Sequence, residues 1–126
     1  MAEPVVLIPG SMALDSIEAP AGSVSEVLGG AATYAAVSCS YFATAAPVCI
    51  VGEDFPPEHL NLLRQFNIDL SGIQSAPGRT FRWRARYLED INRRETLETQ
   101  LNVFADFRPE LTAEQQQARY LFLANI

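Results

Sequence analysis

Asp15 is the residue whose setting most clearly points to chemistry. It closes the run Gly10-Ser11-Met12-Ala13-Leu14-Asp15, which follows the apolar stretch Val5-Val6-Leu7-Ile8. A carboxylate just beyond the C-terminal end of a strand can accept hydrogen bonds from two neighbouring hydroxyls, and ligands of open α/β sheets bind at that edge. Asp also forms turns, so the residue taken alone fits either role. A second segment, Leu28-Gly29-Gly30-Ala31-Ala32-Thr33-Tyr34-Ala35-Ala36, opens a helix. Gly29 and Gly30 have no side chains, so a ligand oxygen can approach the N–H groups and dipole of that helix N-terminus. The same pair suits tight packing. Tyr34, one turn in, faces either a ligand or the core, and the core is the expectation. In Val51-Gly52-Glu53-Asp54-Phe55-Pro56 the spacing is not that of a phosphate loop, and the acids most simply cap the helix that follows.

Other side chains with chemical potential read more plainly. Arg79, Arg82, Arg84 and Arg86 fall in one short stretch. This reads first as an Arg-faced strand in solvent, with a positive edge near a phosphorylated ligand as the alternative. Cys39 and Cys49 sit in apolar surroundings without zinc or redox spacing, so both are expected as buried thiols. His59 lies at a polar helix start with no catalytic partner nearby in sequence. Asn125 falls just past an apolar run, where another ligand contact can arise.

These residues need positioning elements. Val5 to Ile8 reads as a buried parallel strand ended by Pro9-Gly10. Asp15–Glu18 and Ser23–Leu28 alternate and form a small hairpin. Residues 30–46 have helical spacing, rich in Ala, with Pro47 as the stop. Val48–Val51 is a second buried strand, and residues 56–67 form an amphipathic helix with Pro56 and Pro57 in its first turn. Asn67 to Ile73 turns into a short strand. Thr80 to Leu88 alternates, with Phe81, Trp83, Ala85 and Tyr87 on one side. Residues 95–104 alternate again, Thr96, Glu98 and Gln100 against Leu97, Thr99, Leu101 and Val103, making a long antiparallel hairpin. Leu111 to Ala118 reads as a helix with Thr112 as N-cap, and Tyr120 to Ala124 as a third buried strand. Helices alternating with buried strands imply a parallel α/β sheet. The antiparallel pieces, about 14–28 and 79–104, form a separate flap.

Composition narrows the function. The chain has 126 residues, the length of one modest domain, with 48% apolar and 19% charged side chains. A net charge of −6, with nine basic residues (all Arg) against 15 acidic, disfavours binding a nucleic-acid backbone. No apolar stretch approaches the roughly 20 residues of a membrane span. Met1-Ala2-Glu3-Pro4 carries no basic residue and makes a poor signal peptide, so a cytoplasmic setting is the default. A G-x-G-x-x-G run after the first strand is missing, which argues against a dinucleotide-binding domain.

In combination and order, the three segments resemble the PfkB family, the ribokinase-like carbohydrate kinases. The element ending in Asp15 looks like that family's first-strand motif. Leu28 to Ala35 looks like its Gly-Gly signature, and Val51 to Pro56 like its Gly-x-Asp helix start. The resemblance spans the chain and implies the N-terminal part of one ribokinase-like domain, 1–126: a three-layer parallel sheet with a small antiparallel β lid. It implies transfer of the ATP γ-phosphoryl group to a hydroxymethyl group of a sugar or nucleoside, with ATP and Mg²⁺ as cofactors of the full-length enzyme. Asp15 would bind acceptor hydroxyls, with Gly29, Gly30, Tyr34 and Asn125 beside it and Phe81, Trp83 and Tyr87 as the lid. Many members have Asn where Tyr34 stands, and ribokinases have Lys where Ala31 stands, which argues against ribose itself. The resemblance places the catalytic Asp, in a Gly-Ala-Gly-Asp turn, in the second half of full-length relatives, which are more than twice as long. The expectation is therefore a substrate platform without catalytic residues, binding neither ATP nor metal alone. The alternative is a non-catalytic sugar-binding module or a homodimer formed through the lid. An apolar strand edge left open at Tyr120 to Ala124 predicts marginal stability or aggregation.

Overall fold

The β-branched run at the start of the chain does form a buried strand. In the computed structural model, which describes residues 5–125, it is β1 (Val5–Pro9). The reading of Met1 to Pro4 as a poor signal peptide lies outside the described residues. Two hairpin strands follow, β2 (Ala13–Ala19) and β3 (Gly22–Gly29), then helix α1 (Ala31–Ser40). Next come β4 (Thr44–Gly52), α2 (Pro57–Leu63), β5 (Ile73–Ala76), β6 (Arg82–Tyr87), β7 (Arg94–Gln100) and β8 (Tyr120–Leu121).

The central sheet has the order β5-β4-β1-β8, all parallel. Side chains alternate along β4 and feed two cores. Ala45, Cys49 and Val51 pack on the side of α1 and α2, with Ile8, Ala36 and Leu63. Ala46 and Val48 pack with Leu7 on the other side, against Phe107, Leu111 and Ala118. Sheet, helices and the covering segment make three layers.

Pro47 lies inside β4 and does not stop α1, which ends at Ser40. Strand polar groups alternate in direction. Ala45 bonds to Asn67 and Asp69, so Pro47, two residues on, faces the same side, where the β5 ladder begins only at Cys49. Its missing N–H therefore interrupts no ladder bond.

The C-terminal segment departs further from its pattern. Leu111 to Ala118 forms a single 3₁₀ turn, Gln115–Gln117, closed by a reciprocal pair: the Gln115 N–H donates to Thr112 Oγ1, and the Thr112 N–H to Gln115 Oε1. That capping box starts a helix, but the polar run Glu114 to Gln117 leaves only Leu111 and Ala118, at the two ends of the segment, to pack on the sheet. The strand at Tyr120 is also no buried strand. Its ladder continues past β8, Phe122 N–H donating to Leu7 and Ala124 N–H to Pro9, yet Tyr120, Leu121, Phe122 and Leu123 are all exposed because none of the described residues covers them.

The two antiparallel hairpins form one lid sheet, ordered β3-β2-β6-β7. The seam between them is parallel, β2 beside β6, so the lid is mixed rather than purely antiparallel. Arg82, Arg84 and Arg86 point to the outer face, and each meets a carboxylate. Arg82 pairs with Glu26 and Asp54, Arg84 with Glu98, and Arg86 with Glu18 and Glu95. Arg79 reaches Asp54 at the root. The cluster is thus the charged outer surface of the lid, as first read.

Candidate functional site

A cavity of about 530 Å³ lies between the N-terminus of α1 and the inner face of the lid. It gathers Asp15, Gly30, Tyr34, Phe81, Trp83, Tyr87 and Asn125, together with Ser11, Ala31, Arg94 and Thr96. The first seven are residues singled out from the sequence. Gly29 stands immediately behind Asp15.

Asp15 is the third residue of β2, not part of the preceding loop. Its neighbours across the lid sheet are Val27 on β3 and Trp83 on β6. The residue is 6% exposed, and burial raises its pKa to about 6. Among the described residues no donor is hydrogen-bonded to its carboxylate. Gly29 is what makes room for it, since a Cβ there would run into the carboxylate oxygens.

Gly30 caps α1 with φ near 100°, a conformation that a side chain strongly disfavours, and a Cβ would also meet the Ser11 carbonyl. The first N–H groups of α1 are engaged. Ala31 N–H donates to Ser11 Oγ at 3.0 Å and Ala32 N–H to the Ser11 carbonyl at 2.9 Å. Ser11 therefore fills part of the helix end that the sequence suggested was open to a ligand. Thr33 adds a 2.7 Å bond from its hydroxyl to the Gly29 carbonyl. Tyr34 lies not in the core but at the cavity, 63% exposed. Its pKa is raised first by partial desolvation at the cavity and then by the Asp15 carboxylate and Tyr87 nearby.

The lid residues divide by depth. Phe81 is buried and stacks on Phe104 with centroids 5.4 Å apart, fixing the lid root beside Ala13. Trp83 and Tyr87 lie further out and are half-buried. The indole N–H of Trp83 donates to Thr96 Oγ1 at 3.3 Å, and the Arg94 guanidinium sits 5.6 Å from its ring centroid.

Sequence reasoning missed Arg94 and Thr96 because strict alternation puts Thr96 on the same face as Glu98. A β-bulge on β7 breaks that phase. Arg84 pairs with Glu98 but Ala85 pairs with Thr96, which turns Thr96 and Arg94 inward. No signal in the strand itself marks the bulge. Ser11 was visible in the first motif but unassigned.

Gly52-Glu53-Asp54 does not cap α2, whose N-cap is Pro56 without a side-chain bond. Asp54 instead accepts from the Thr80 N–H at 2.8 Å, the Thr80 hydroxyl at 2.7 Å and Arg82 at 2.8 Å. Burial alone would raise its pKa, but these donors hold it below the usual carboxylate range. The Gly52 N–H donates to Thr80 Oγ1 and the Glu53 N–H to Gly78. This segment is a joint between the end of β4 and the lid root. At the tip of the β6–β7 hairpin the Asp90 carboxylate caps the turn, accepting from the Asn92 N–H and from the Asn92 side-chain amide, both at 3.1 Å.

Cys49 is buried, its thiol pushed up to about 12 by burial, whereas Cys39 is only half-buried; both are free. Among the described residues no group of three His, Cys, Asp or Glu side chains could hold a metal ion, and no helix is long and apolar enough to cross a membrane.

No family model matches the chain, and no curated protein matches it either. Solved structures do match. A nucleoside kinase from Methanocaldococcus jannaschii, described as an archaeal member of the ribokinase family, aligns with a TM-score of 0.71 at 18% identity, covering 98% of this chain and 45% of its own. A ribokinase from Cryptococcus neoformans in complex with ADP aligns at 0.68 and 15% identity, covering 95% and 42%. A nucleoside kinase from Burkholderia thailandensis in complex with inosine aligns at 0.65 and 17% identity, covering 77% and 36%. The fold is therefore ribokinase-like, and the chain spans less than half the length of these structures.

Proposed function

We propose that these 126 residues are the acceptor-binding platform and lid of an ATP-dependent kinase that phosphorylates a hydroxymethyl group of a sugar or nucleoside. The observation that carries this reading is Asp15, a buried carboxylate that receives no hydrogen bond from the described residues and opens onto a cavity roofed by aromatic side chains. A buried carboxylate without donors is costly. Two adjacent hydroxyls of an acceptor supply the donors that the protein withholds. Trp83 and Tyr87 cover the apolar face of the bound ring and exclude water from it. Gly29 and Gly30 keep the floor open, and Tyr34 and Asn125 stand at the rim. The likeness to a nucleoside kinase bound to inosine supports including nucleosides among the acceptors.

In this reading no catalytic residue lies within the chain, and ATP and Mg²⁺ are held by groups beyond it. Phosphoryl transfer needs a base for the hydroxyl proton and donors for the moving phosphoryl oxygens. The Gly-Ala-Gly-Asp run is absent from these residues, and Asp54 is occupied by Thr80 and Arg82. The free thiols suit a reducing, cytoplasmic setting.

Trp83 is the only tryptophan and lines the cavity, so its fluorescence reports binding directly. Titration with fructose and inosine should give saturable curves that Asp15→Asn abolishes. Identical curves for the two proteins would overturn the assignment. ATP turnover by the 126-residue chain with the same acceptors should be undetectable, and measurable turnover would refute the division of labour proposed.

A second reading, a non-catalytic module that dimerises through the lid, is favoured by the open edge of β3, where Val24 is half exposed. It requires a dimer in sedimentation that Val24→Lys dissolves.

A further inference from the structure

The lid carries its positive charge in two unequal ways. Arg79, Arg82, Arg84 and Arg86 all face carboxylates at the root or on the outer surface. Arg94 is different. The bulge on β7 turns it inward, and among the described residues it is the only cation lining the cavity and has no ion-pair partner. Its one described contact is the Trp83 ring, 5.6 Å from the centroid. A guanidinium held over an indole keeps its edge N–H groups free, and that planar fork matches phosphate and carboxylate oxygens.

Its position sets where such a group would lie. Arg94 pairs with Tyr87, whereas Asp15 lies beside Trp83, four residues earlier on β6. Four strand residues span about 13 Å. The side chain leans back from its backbone position to reach the Trp83 ring. The two charges are therefore closer than the backbone spacing, with the carboxylate near the cavity floor and the uncompensated cation over Trp83 on the lid. A neutral sugar would satisfy Asp15 but leave the guanidinium facing only an aromatic ring and solvent.

We propose that Arg94 is a specificity residue that selects acceptors carrying an anionic group, a phosphate monoester or a carboxylate, at the end opposite the hydroxyls bound by Asp15. This rests on the reading of the cavity as an acceptor site. Asp15 would repel the anion if the ligand were reversed, so the two charges together also fix its direction in the cavity.

The test compares matched ligands that each keep a free hydroxymethyl group: fructose 6-phosphate with fructose, and gluconate with glucitol. Binding is read from Trp83 fluorescence at submicromolar protein. At least one anionic ligand should bind about tenfold or more tightly than its neutral partner, as a hydrogen bond to a charged group can supply. The pair that shows the preference identifies phosphate or carboxylate. Arg94→Gln should erase the preference, Arg94→Lys should restore part of it, and added salt should weaken only the anionic ligand. Arg94 is exposed on a hairpin and its side chain makes no described hydrogen bond, so these variants should fold normally. Equal binding of charged and neutral partners, or a preference that survives Arg94→Gln, overturns the proposal. In that case, neutral ligands that still depend on Asp15 leave the acceptor platform standing. If no ligand gives a curve, or Asp15→Asn changes none, the platform reading fails and the Arg94 proposal falls with it.

Discussion

At the scale of single residues, Asp15 carries a conflict between stability and binding. Its carboxyl titrates at about 6 when folded, against 3.8 for an ordinary Asp. A group whose folded value lies above its unfolded one binds an extra proton in the folded state across that interval. Stability therefore falls as pH rises from about 4 to about 6 and stays lower above it. Asp15→Asn should be more stable than wild type at pH 8 by roughly 2 kcal/mol, and no more stable at pH 3.5, in urea unfolding. Acceptor binding has the opposite dependence because it uses the ionised form. Affinity for fructose should drop about tenfold per pH unit below pH 6. Gly29→Ala tests the same site by volume. A methyl there displaces the carboxylate, so fluorescence titration should show binding lost while most of the secondary structure remains. The sequence displays Asp15 and both glycines openly, because the glycines border a helix start and Asp15 closes a motif that follows an apolar run, although it lies inside β2 and not at a strand end. It does not show that Ser11 occupies the first N–H groups of α1, since that depends on a serine 20 residues away reaching the helix.

At the scale of elements, the lid is governed by its root. Thr80 is fully buried; its hydroxyl accepts from the Gly52 N–H and donates to Asp54 Oδ1, to which its own N–H also donates. Thr80→Val keeps the shape and strands these partners, so it should cost roughly 2 kcal/mol. Amide exchange in β6 and β7 should rise more than in β1 and β4, and Thr80→Ser should rescue it. A loss spread evenly over both sheets would show that the root is no separate joint. Asp54 has the reverse pH sign to Asp15. Its pKa is depressed, so its contribution is present above the unfolded value and is lost as pH falls through the folded one. Lid amides should therefore lose protection first on acidification below about pH 4. Alternation reveals both lid hairpins in the sequence. It cannot reveal their parallel seam, which pairs strands far apart in the chain, nor the bulge, which shifts the phase of β7 by one residue. The helical pattern at 111–118 misleads for a related reason: capping residues start a turn, but only an apolar face sustains a helix.

At the scale of the whole molecule, burial is uneven. The side of the central sheet at β5 and β4 is well covered, whereas Tyr120, Leu121, Phe122 and Leu123 stand in solvent along the β1–β8 edge. An apolar strand with an unpaired edge recruits another strand. The isolated chain should associate in a concentration-dependent way by sedimentation, and Leu121→Lys with Leu123→Lys should reduce that association without lowering the unfolding midpoint. The parallel seam has a further consequence, one that concerns time. Glu18 and Arg86 meet across 68 residues of chain. During synthesis the first hairpin leaves the ribosome long before the strand that completes it exists, so β2 must wait with one edge bare while α1, β4 and α2 are made. Closing so distant a pairing is slow. Formation of the lid therefore cannot begin until β6 has emerged.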